Sequence, residues 1–118
     1  MSGPVSTVML RCRLRLDQLS EVETLLRRLG EEVRPTRKGH QWEVVIDGAV
    51  FSVPHHDTSK CAHDFEDELL ERQLDFEDAP EAFVIAAPTK RDIDQENLRH
   101  IAAELTSLFG EIAFEGRG

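Results

Sequence analysis

QWEVVIDGAVFSV, residues 41–53, is the stretch from which the fold follows. Trp42, Val44 and Ile46 alternate with Gln41, Glu43, Val45 and Asp47. That period of two marks a strand with one buried face. Asp47-Gly48 then supplies the two positive φ angles that a type I′ turn requires. Ala49 to Val53 is the return strand, closed by Pro54. The stretch therefore predicts an antiparallel hairpin near the middle of the chain.

Working outward toward the N-terminus, VMLRCRLRL (8–16) also alternates. Val8, Leu10, Cys12, Leu14 and Leu16 share one side, expected to be buried. Met9, Arg11, Arg13 and Arg15 share the other, expected to lie on an open sheet face. In DQLSEVETLLRRLG, residues Leu19, Val22, Leu25, Leu26 and Leu29 recur at helical spacing. Asp17 or Ser20 suits the start and Gly30 the end. Residues 31–40, with Pro35 and Gly39, read as a connection.

On the C-terminal side, a loop is expected from Pro54 to about Asp64, then a helix over 65–76 capped by Asp64. Phe65, Leu69 and Phe76 would lie near its buried side, with Leu70 and Leu74 beside them. AFVIAAP (82–88) is a short apolar run bounded by prolines, which suits a central strand. RDIDQENLRHIAAELTSLFG carries a helical stripe of Leu98, Ile101, Leu105 and Leu108, ended by Gly110, and EIAFEG (111–116) is a last strand. The order is β-α-β-β-(α)-β-α-β. Two β-α-β units flanking a hairpin place helices on one face of a mostly antiparallel sheet. This is an α+β fold related to the ferredoxin-like sandwich, with an added strand. Its 118 residues suit one domain, 1–118.

Charge is distributed unevenly. The net charge is −9, yet residues 64–81, DFEDELLERQLDFEDAPE, hold nine acids and one base (Arg72), a net of −8. Nucleic acid, whose phosphates such a surface repels, is not an expected partner. A basic protein surface is, because complementary charge speeds and orients encounter. No run approaches the ~18 apolar residues of a membrane helix. The N-terminus MSGPVSTVML lacks the basic start and apolar run of a secretory signal. Cys12 and Cys61 fit no disulfide framework, and reduced thiols point to the cytoplasm.

His55, His56, Cys61 and His63, with Asp57, are residue types that bind zinc, which wants about four converging nitrogen and sulfur ligands. They lack a recognised ligand spacing, so no metal and no cofactor is expected. A metal-binding regulatory or enzyme-accessory domain built on this loop is the alternative. Cys61 beside His63 is a poor nucleophile candidate, because the acids that follow would raise the thiol pKa. No phosphate-binding glycine loop is present. The chain therefore reads as a non-enzyme.

The closing stretch LRHIAAELTSLFGEIAFEG and the Trp-bearing hairpin QWEVVIDGAVFSV resemble parts of the small acidic α+β immunity proteins that bacteria encode beside polymorphic toxins. The two stretches cover under half of the chain. The resemblance implies a cytoplasmic protein that binds and blocks one cognate toxin. It assigns no binding residue. From charge alone, Asp64, Glu66, Asp67, Glu68, Glu71, Asp75, Glu77 and Asp78 are the expected contacts to a basic toxin domain or other basic protein. Trp42 or Arg72 would serve as the anchor. The same acids could instead pair internally with Arg11, Arg13 and Arg15. The sequence leaves oligomeric state open.

Overall fold

The computed structural model describes residues 3–35, 41–60, 62–71, 73–75, 77–110 and 113–115. The elements are β1 (Val5–Leu10), α1 (Leu16–Leu29), β2 (Glu32–Pro35), β3 (Gln41–Ile46), β4 (Ala49–Asp57), α2 (Ala62–Glu71), β5 (Glu81–Ala86), α3 (Asp92–Phe109) and β6 (Ala113–Glu115). The sheet runs β2-β3-β4-β5-β1-β6, and every neighbouring pair is antiparallel. The fold is α+β, as the order of elements predicts.

The hairpin folds as its sequence requires. Asp47 and Gly48 have φ of 51° and 75°, the two positive angles of a type I′ turn. Trp42, Val44 and Ile46 on β3 face Val53, Phe51 and Ala49 on β4, and all six are buried. α1 and α3 pack on this inner face. Leu19, Val22, Leu25 and Leu26 come from α1, and Leu98, Ile101, Ala102, Leu105 and Phe109 from α3. Phe83 on β5 sits at the centre, stacked against Phe109 at 6.3 Å between ring centroids and tilted against Trp42 at 6.4 Å.

Four expectations are corrected. The first strand ends at Leu10, not at residue 16. Register sets Leu10 opposite Glu81, the first residue of β5, and Arg11 would fall opposite Pro80, whose carbonyl turns to the other side to accept the Thr58 N–H. Residues 11–15 instead form the connection into α1. Cys12 and Leu16 are exposed and Leu14 is only half-buried, while Met9 is fully buried. Residues 32–35 pair with β3 as an edge strand, where a plain connection was expected. β4 continues through Pro54 to Asp57. Its ladder with β5 lapses between Ser52 and His55 and resumes in the same register.

The fourth correction concerns the acid-rich helix, which runs over 62–71 and not 65–76. It stops because Gln73 takes a positive φ of 56°. The Leu74 N–H then donates to the Leu69 carbonyl (2.9 Å), and the Gln73 N–H to Leu70 (3.1 Å). These are the two bonds of a Schellman close, and Leu74 packs against the cluster that holds Leu69, the kind of apolar contact such a close favours. This helix adds to the outer face of the sheet, where Leu69 and Ala79 cover Met9 and Ala82. The expected open face for the arginines is therefore covered beside Met9.

Candidate partner-binding surface

α2 divides its sides by burial. Leu69 is 3% exposed and turned to the sheet, whereas Leu70 is 73% exposed. Glu66 and Asp67, four and three residues before Leu70, are exposed and neighbour it on the helix surface, and Glu71, the next residue, is exposed as well. The side chains of Asp64 and Glu68 lie outside the described residues, as do Arg72 and Phe76 and the side chain of Phe65.

Asp75, Glu77 and Asp78, after the helix, are exposed too, but two of them build backbone. Asp75 Oδ1 accepts the N–H groups of Glu77 (2.9 Å) and Asp78 (3.0 Å), and Asp78 Oδ2 accepts the Asp75 N–H (3.0 Å). Aspartate favours such turns because its short side chain reaches the backbone two or three residues on. The turn is tied to the end of β4 by the buried Thr58. Its hydroxyl donates to the Ala79 carbonyl (2.6 Å) and its N–H to Pro80 (3.0 Å). Asp75 and Asp78 therefore shape the surface as well as charging it, while Glu77 is exposed with its backbone held by Asp75.

The last acid of the segment behaves differently. Glu81 opens β5 and is 7% exposed. Its Oε1 accepts the Leu14 N–H (2.8 Å) and lies 2.8 Å from His55 Nε2, while Arg13 Nη1 is 3.5 Å from Oε2. Burying a carboxylate is costly unless partners replace its water, and here three groups do so. Arg13 also binds Asp57 Oδ2 at 2.8 Å. The Ser59 hydroxyl and the Arg13 guanidinium together hold Asp57 far below the usual carboxylate range. Of the arginines after β1, Arg13 is thus engaged by Asp57 and Glu81, and Arg15 by Asp17 at 3.1 Å. Internal pairing of the acid-rich segment is met at Glu81.

Trp42, expected as an anchor, is a core residue. It is 5% exposed, and its indole N–H donates to Glu23 Oε1 at 3.3 Å. Leu70, which the helical pattern had assigned beside the buried side, is the large apolar group on the acidic face.

His55 and His56, the described histidines of the group, do not converge. His55 and His56 are consecutive on β4, paired with Phe83 and Ala82, which belong to the inner and outer clusters. Neighbours in a strand point to opposite faces. His55 lies against Phe83 at 5.1 Å between rings and is joined to Glu81. Cys61 and the side chain of His63 lie outside the described residues. Among the described residues, no three His, Cys, Asp or Glu side chains are grouped to hold a metal ion. Also among them, no helix is long and apolar enough to cross a membrane.

Comparison of the chain with protein-family models, curated proteins and solved structures finds no match.

Proposed function

We propose that this chain is a binding protein without chemistry of its own, acting in the cytoplasm as an immunity protein that occludes a basic toxin domain. The observation that carries the reading is the exposed side of α2, where Glu66 and Asp67 neighbour the exposed Leu70 and Glu71 follows it. An exposed apolar group beside like charges matches the usual make-up of an interface. The apolar centre supplies affinity, and the charged rim supplies steering and orientation. Exposed charges are screened over about 8 Å at physiological salt, so the rim should act mainly on the rate of encounter.

The test uses Glu66→Lys, Asp67→Lys and Glu71→Lys together, which leave the turn-building Asp75 and Asp78 intact. Each reversal shifts the charge by two, taking residues 64–81 from −8 to −2. Stopped-flow association with the toxin domain encoded beside this chain should slow about tenfold or more at low salt. The gap should narrow as salt rises, and protection of cells expressing the toxin should fail. A triple variant that binds and protects like the parent removes the acidic face from the mechanism.

A further inference from the structure

We draw no further inference here: the strongest candidate, the part of the outer sheet face that α2 leaves open around the exposed Val5 and Val50, is an unpartnered apolar face on which nothing in the structure shows what docks.

Discussion

The inner and outer faces of the sheet bury different things. On the inner face all six strands contribute to one cluster with α1 and α3, and Phe83 at its centre touches rings from β3, β4 and α3. On the outer face, the described residues of the cluster are Met9, Leu69, Ala79 and Ala82, with Leu74 and Val84 packed against it. The inner face sets stability. The outer face holds an acid-rich helix in place despite the repulsion among its own carboxylates, so its few apolar contacts decide where that charge is displayed.

Four measurements would break or sharpen this contrast. Phe83→Ala should cost the most, about 3–5 kcal/mol in a urea titration, because it opens a cavity among close-packed rings. Leu69→Ala should cost about 2 kcal/mol, the low end for a leucine truncation, since the outer site can relax toward solvent. If Leu69→Ala proved the more damaging, the two faces would have to exchange roles.

Acid should act less through the cores than through the ion pairs at their edges. Arg91, and then the Thr89 hydroxyl, hold the buried Asp94 below its ordinary pKa, and Ser59 and Arg13 do the same for Asp57. A carboxylate whose folded pKa is depressed contributes stability above its unfolded value, about 4, and loses it as the pH falls further. Melting temperature should therefore be level near neutrality and drop below about pH 4. Asp94→Asn should flatten that drop. An unchanged acid profile in the variant would remove Asp94 from the account.

The smallest effect should come from Glu66→Lys, Asp67→Lys and Glu71→Lys. Surface changes of this kind stay within roughly 0.5 kcal/mol each. Here the sign should favour the folded state, since like-charge repulsion falls. A clear loss in the unfolding midpoint would mean that these acids have structural partners.

The two β regions differed in how plainly the sequence announced them. Residues 41–53 were legible because one side of the hairpin is buried and the other is not, and because Asp47-Gly48 matches its turn. Residues 8–16 misled because the alternation of arginine and apolar residues continues past the point where the ladder ends. The partner strand begins only at Glu81, far along the chain and invisible to any local pattern. Met9 shared a parity with arginines, yet α2 covers it. The helix stop at Gln73 carried no glycine to mark it. The acid-rich segment was legible as charge but not as geometry. That Glu81 would be buried was hinted at only by its place at the head of an apolar run, and that Leu70 would face outward depended on where the helix began.

The short outermost strands have a consequence for crowded solutions. β2 has four residues and ends on Pro35, which offers no N–H, and β6 has three. Among the described residues, a neighbouring molecule seeking to extend the sheet meets a brief row of backbone groups on either margin. Edge-to-edge pairing of one sheet with the next, the way a ribbon grows, thus finds little backbone to template it along β2 and β6.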